Sequence, residues 1–282
     1  MLRIGKWLAG ALVSLSLCAC ENKDKLSAEK APPALEHVIP LVERDVKQVR
    51  GGLPKGVELL AKHIDDDPGN DPEGLRHSIE KARAGVTDLA IAKSTFFVFV
   101  SPEGIVLRSE ADPDLAAGKS LVKEIPEAKQ IFDKDGVVEV FGYMDGLRGV
   151  EKGGDLQWIA GHKVTAKSGK IAGAFVTGWS FRRYLQYLEN DLRRHLTDTQ
   201  EDKKRPPPLV YLFLARGDKA YGAPVTPDVD AEAVGKLDLP KKVGDALYQS
   251  TIEIDGQKFS IVAKKLPALD KDTVIALLFA VI

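Results

Sequence analysis

Cysteine is almost absent: the 282 residues hold two, Cys18 and Cys20, both within the first 20 positions. The rest of the chain therefore has no disulfide framework and no cysteine-based metal site. Methionine (2 residues) and aromatics (7%) are scarce, which argues against a promiscuous methionine-rich binding surface. An excess of basic residues is missing as well. Forty Lys+Arg against 41 Asp+Glu leave a net charge of −1, unlike a dedicated nucleic-acid binder. No segment reaches the ~18 consecutive apolar residues of a transmembrane helix. Gly-x-Ser-x-Gly, Walker and His-Glu-x-x-His motifs do not occur, and none of the five histidines forms an i,i+4 pair with another. The chain is accordingly expected not to be an enzyme, and no catalytic residue, metal or cofactor is expected. What remains is 44% hydrophobic, enough for a core in one large or two modest domains.

The N-terminus has the form of an address. Arg3 and Lys6 precede an apolar stretch, Trp7 to Leu17, too short to span a bilayer at ~1.5 Å per residue but suited to a signal peptide. Leu17-Cys18-Ala19-Cys20 resembles a bacterial lipobox. The resemblance implies cleavage before Cys20, lipidation of Cys20 and stable membrane attachment through its acyl chains. An ordinary secretory signal leaving a free thiol is the alternative. Asn22 stands where enteric lipoproteins retained in the inner membrane carry Asp, so an outer membrane is the favoured destination if the host has one. The expected location is the cell envelope, lipid-anchored and facing the periplasm or exterior. Residues 1–19 are read as signal and 20–33 as a polar tether, closed by Pro32-Pro33.

Residues 34–93 read as helical. Leu35, Val38, Ile39, Val42 and Val46 form one stripe, with Gly51-Gly52 and Pro54 as an interruption, and Leu75, Ile79, Ala82, Val86 and Leu89 form another. Asp65 to Asp71 invites a calcium reading but lacks the EF-hand glycine and glutamate, so a turn is expected in which Asp71 caps the helix ahead of Pro72.

Strand signals then occupy 94–196: Thr95–Val100, Ile105–Ser109, Val137–Met144, Leu156–Ala166 and Lys170–Ser180, followed by an amphipathic helix from Phe181 to Leu196. A charged, proline-ended stretch at 197–208 reads as a linker. The order repeats in 209–282, with strands Leu209–Ala215, Lys219–Val225, Tyr248–Ile254, Lys258–Leu266 and Thr273–Val281, and Asp255-Gly256 as a hairpin turn. Phe97 aligns with Leu212, Gly118-Lys119 with Gly235-Lys236, and Ile159 with Ile261. This spacing indicates a domain duplication. The expected fold class is α+β, with long N-terminal helices followed by two antiparallel-sheet modules.

Ser101-Pro102-Glu103-Gly104-Ile105-Val106, Gly118-Lys119-Ser120-Leu121 and Lys170 to Val176 resemble motifs of Cache domains, the extracytoplasmic relatives of PAS domains. The layout over residues 34–282 is similar to the double-Cache arrangement. That resemblance implies a small-molecule sensor that binds mainly in the first module. Lys123-Glu124-Ile125-Pro126-Glu127 stands where the amino-acid-binding subgroup carries Arg-x-Trp-Tyr. No transmembrane helix or transmitter follows before Ile282, so the resemblance implies a protein partner in the envelope.

Tyr143, Trp158 and Trp179 are candidate pocket walls, with His162 on the strand face of Trp158 and with Arg108 or Arg182 supplying charge for an acidic ligand. The alternative places the aromatics in the core, His162 as a satisfied sheet residue and both arginines in water. Two functions follow: a lipid-anchored sensor of a small molecule, or a non-sensing adaptor whose modules dock proteins.

Overall fold

A computed structural model describes residues 8–148 and 154–282, with side chains from Lys23 onward. Arg3 and Lys6 lie outside the described residues, and the side chain of Cys20 lies outside the described side chains. The fold is α+β. Helix α1 (Leu8–Leu60) comes first, then α2 (Pro72–Gly85) and α3 (Thr87–Ile91). Strands β1 (Phe96–Val100) and β2 (Val106–Ser109) precede the short helices α4 (Leu121–Glu124) and α5 (Gln130–Asp133). Strands β3 (Val138–Gly142), β4 (Gln157–Thr165) and β5 (Ile171–Ser180) complete a five-stranded antiparallel sheet in the order β2-β1-β5-β4-β3. After α6 (Phe181–Thr199) the same plan returns as β6 (Leu209–Arg216), β7 (Lys219–Gly222), α7 (Asp228–Gly235), α8 (Leu239–Lys242), β8 (Tyr248–Ile254), β9 (Gln257–Lys265) and β10 (Thr273–Ala280). Its sheet order is β7-β6-β10-β9-β8, position for position the order of the first.

The chain divides into two compact units, only one of them a single run of sequence. One is Leu41–Tyr187; the other joins the chain up to Pro40 with Leu188–Ile282. The expected separate helical segment at 34–93 is thus shared out, because each unit takes a stretch of α1 into its own core.

Two expectations about α1 fail for physical reasons. The polar stretch 20–33, read as a tether, is helical through Pro32-Pro33. Pro32 has no N–H to give the carbonyl of Ala28, and a proline inside a helix loses that bond. The Gln249 side chain replaces it, donating to Ala28 O at 2.6 Å. Ser27 adds a second tie, accepting the Val281 N–H at 2.9 Å while its hydroxyl donates to Lys23 O. Gly51-Gly52 does not interrupt the helix either. A Cβ on Gly52 would stand 2.9 Å from Leu89, and one on Gly56 2.7 Å from Leu89 and 3.0 Å from Phe175. Glycine lets α1 approach α3 and β5 closely, a packing gain that offsets its poor helix propensity.

In the Leu41–Tyr187 unit, strand alternation sorts side chains onto two buried faces. Phe96, Val98, Val140, Ile159 and Val176 point to the face covered by Leu121, Ile125, Ala128 and Ile131. Trp158, Trp179, Phe97, Phe99 and Phe175 point the other way and are also fully or nearly fully buried. Each such aromatic contributes roughly 1.5–3 kcal/mol by leaving water.

In the second unit every residue of β10 is buried, so both of its faces are covered. The β8–β9 turn has Asp255 at φ +47° and Gly256 at φ +78°, the type I′ geometry expected of Asp-Gly between strands paired Ile254 to Gln257.

Candidate functional site

Two of the three aromatic residues singled out from the sequence, Trp158 and Trp179, meet in the Leu41–Tyr187 unit. Trp158 on β4 faces Trp179 on β5 in register, with ring centroids 4.2 Å apart, and Trp179 stacks on Tyr184 of α6 at 4.5 Å. All three rings are buried. Trp158 Nε1 donates to Glu139 Oε2 at 3.0 Å, and Arg50 holds the same oxygen at 2.8 Å. Trp179 Nε1 is buried with no hydrogen-bond partner. Beneath the stack, the Tyr184 hydroxyl donates to Asp45 Oδ2 at 2.9 Å, and Arg44 donates to Asp45 Oδ1 through Nη2 at 2.9 Å. Burial pushes the Asp45 carboxyl upward, and Arg44 and Tyr184 pull it partly back. Burial, and then the Asp45 charge, drive the Tyr184 phenol well above its ordinary value.

The other candidates do not join this cluster into one pocket. His162 lies on the same face as Trp158, with Nδ1 2.7 Å from Lys163 O. One cross-strand row carries Arg108, Phe99, Phe175 and His162, so two phenylalanines separate the arginine from the histidine. Three strand spacings amount to about 14 Å. Arg108 is committed to Glu73 and lies 3.6 Å from Asp114. Arg182 is buried, not solvent-facing, at 9% exposure, and its N–H donates to Asp155 Oδ1 at 3.4 Å. Tyr143 is exposed, just past the end of β3.

The opposite face of this sheet is apolar and tightly filled. A Cβ on Gly142 would come within 2.7 Å of Ile125, and one on Gly161 within 2.5 Å of Ile131. Glycine at these two positions brings α5 and the turn before it directly onto β3 and β4.

Two of the concavities formed by the described residues lie elsewhere. One, of about 480 Å³, is rimmed by Asp65, Asp66, Asp67 and Asp71. Its carboxylates are engaged: Asp66 accepts from Ser168 at 2.6 Å, Asp67 from Asn70 at 3.0 Å, and Asp71 caps α2 through Gly74 N at 3.0 Å. The cap is the one expected from the sequence. Among the described residues no group of three or more His, Cys, Asp or Glu is placed to hold a metal ion.

The other concavity, of about 380 Å³, lies wholly in the second unit. It is built from residues 26–34 of α1, the end of α6, the 200–208 segment and the end of β10. Nothing in the local sequence pattern marks it, since its walls come from segments as far apart as Leu26 and Ile282. Nearby, the His37 and His195 rings stack at 3.8 Å, and Asp191 stands 3.1 Å from His37 Nε2.

Glu189 also escaped the sequence reading. It is almost completely buried on α6. Its Oε1 accepts the Leu212 N–H at 2.9 Å, and Arg193 stands 3.1 Å from Oε2. Leu212 lies one residue before the β6–β7 register begins at Phe213–Gly222, so a carboxylate takes the place of a strand partner. Burial pushes this carboxyl up to about 7, against the opposing pull of the Leu212 N–H and Arg193.

No protein-family model matches the chain, and no curated protein matches it in sequence. Among solved structures it is similar to the extracellular ligand binding receptor from Desulfohalobium retbaense DSM5692, with a TM-score of 0.52 and 10% identity over 89% of this chain. The chain spans 40% of that receptor's length. It is also similar to the sensory domain of the Campylobacter jejuni chemoreceptor Tlp3 with isoleucine bound (TM-score 0.47, 14% identity, 95% of each chain). A third is the ligand-binding domain of the Pseudomonas aeruginosa PAO1 chemoreceptor PctB in complex with L-Arg (TM-score 0.48, 15% identity, 87% of this chain and 93% of that one). With the Desulfohalobium receptor the chain shares the fold, an N-terminal helix followed by two antiparallel sheets. Among the described residues no helix is long and apolar enough to cross a membrane.

Proposed function

We propose that the chain is an extracytoplasmic sensory body of double-Cache type that binds a small molecule without chemical turnover. The observation that carries the reading is the same five-strand order in both sheets behind one 53-residue helix. Support also comes from the similar structure described as an extracellular ligand binding receptor. In this reading Cys20 bears the lipid that holds the body at the envelope membrane. A ligand shifts the population between two packings of α1, and a partner protein reads the change.

A thermal-shift screen of the full chain against metabolites tests it. One compound raising the melting temperature saturably supports a sensor, and a flat screen opposes it. The anchor is tested by palmitate labelling of wild type against Cys20→Ala, where label retained in the variant would remove Cys20 from the scheme.

The second reading, a docking adaptor, is favoured by one observation. The first sheet's face toward α4 and α5 is filled at Gly142 and Gly161 by Ile125 and Ile131. A stoichiometric envelope protein co-purifying regardless of metabolites, together with a flat screen, is its expected signature.

A further inference from the structure

The 380 Å³ groove of the second unit falls in the size range of small-molecule sites, and its walls say what kind of molecule. Leu26 and Ala34 of α1, Leu196 of α6, Pro208, and Phe279 and Val281 at the end of β10 give it apolar sides. Several of the polar groups that also line it are already engaged. The His195 ring stacks on His37, and the Thr199 hydroxyl donates to His195 O at 2.8 Å. The Gln200 amide donates to Asp202 O and Arg205 O at 2.8 and 2.9 Å. An amino acid or sugar placed here would bury polar groups without partners, at a cost of roughly 1–3 kcal/mol each. An aliphatic chain incurs no such cost.

The mouth is charged. Glu201, Asp202 and Arg205 lie on the loop side, with Asp202 and Arg205 3.4 Å apart in an ion pair. Lys30 lies on the helix side; it and Glu201 are exposed, and neither carries an ion pair among the described residues. The open cation therefore sits beside an apolar trough.

We propose that this groove binds the acyl chain of a free long-chain fatty acid, with the ligand carboxylate at the Lys30 ammonium. This goes beyond the sensory reading, because such binding holds whether or not a signal leaves the protein.

The test uses the full chain carrying Cys20→Ser, which removes the proposed lipid of its own, and a photoactivatable palmitate with a diazirine on the alkyl chain. After irradiation, labelled peptides are mapped by mass spectrometry. Label is expected in the 196–208 and 279–282 peptides and is expected to be displaced by unmodified palmitate. Val281→Trp, which fills the trough, is expected to cut labelling about tenfold or more, and Leu26→Trp, on the α1 segment that also lines it, is expected to do the same. Circular dichroism verifies that each variant is folded. Lys30→Met is expected to weaken binding about two- to fivefold, the range for an exposed ion pair. Label spread over the surface, label indifferent to both tryptophan variants, or no label at all overturns the proposal. So does labelling seen only when anionic vesicles are present, which would make the surface a membrane contact.

Discussion

The side-chain amide of Gln249 donates to the backbone carbonyl of Ala28 at 2.6 Å, the carbonyl left open because Pro32 has no N–H. A residue on the edge strand of the second sheet thereby replaces one hydrogen bond that α1 lacks. Gln249→Leu is expected to lower stability by about 0.5–1.5 kcal/mol. It is also expected to speed amide exchange in the helix around residues 28–36. Pro32→Ala restores the missing donor, so in that background Gln249→Leu is expected to cost little. Equal losses in both backgrounds would show that the two residues are uncoupled.

Glu189 predicts a pH dependence with a definite sign. Its carboxyl is raised to about 7 in the folded chain, above the 4.5 expected when unfolded. The folded state thus keeps its proton where the unfolded state releases one. Stability is lost as pH rises from 4.5 to 7, by an amount on the order of 3 kcal/mol. Glu189→Gln keeps an oxygen for the Leu212 N–H and removes the titration. Melting temperatures across pH 4.5 to 8 are expected to fall more steeply for wild type than for the variant; parallel curves would contradict this.

The two stacked tryptophans make different demands. Trp158 Nε1 has a partner in Glu139, and Trp179 Nε1 has none. Replacement by Phe keeps most of the ring burial in both. Trp158→Phe leaves Glu139 short of a donor and is expected to cost about 1–2 kcal/mol more than Trp179→Phe. Chemical denaturation of the two variants decides it, and a larger loss for Trp179→Phe would run against the hydrogen-bond argument.

Glycine substitutions are expected to separate backbone from side-chain crowding. A Cβ on Gly178 would lie 2.0 Å from the Trp158 carbonyl oxygen, inside the β4–β5 ladder. A Cβ on Gly56 would meet the end of the Leu89 side chain at 2.7 Å. Leu89 can turn, whereas the ladder cannot open without losing its bonds. Gly56→Ala is expected to cost about 1–3 kcal/mol and to fold, while Gly178→Ala yields little soluble protein. Soluble yield and thermal melting measure both.

The strands, the hairpin at Asp255-Gly256, the cap at Asp71 and the duplication were legible in the sequence. Each rests on a short-range rule: alternation, φ preference, or a side chain reaching a nearby N–H. Trp158 and His162 share one face of β4, as their alternation indicates. Whether that face is a pocket or a core depends on what lies over it, and here the Trp158–Trp179–Tyr184 stack is buried.

By itself, then, the sequence determined which segments are strands, how they turn and that the second module copies the first. Tertiary structure alone decided that residues 23–33 are helical, since Gln249 and Ser27 supply bonds that composition cannot reveal. It also decided that an apolar groove forms at the end of β10, lined by residues of the second unit that the sequence did not single out. The reason is range. Local preferences act over a few residues, whereas a cavity is bounded by side chains that only the completed fold brings together.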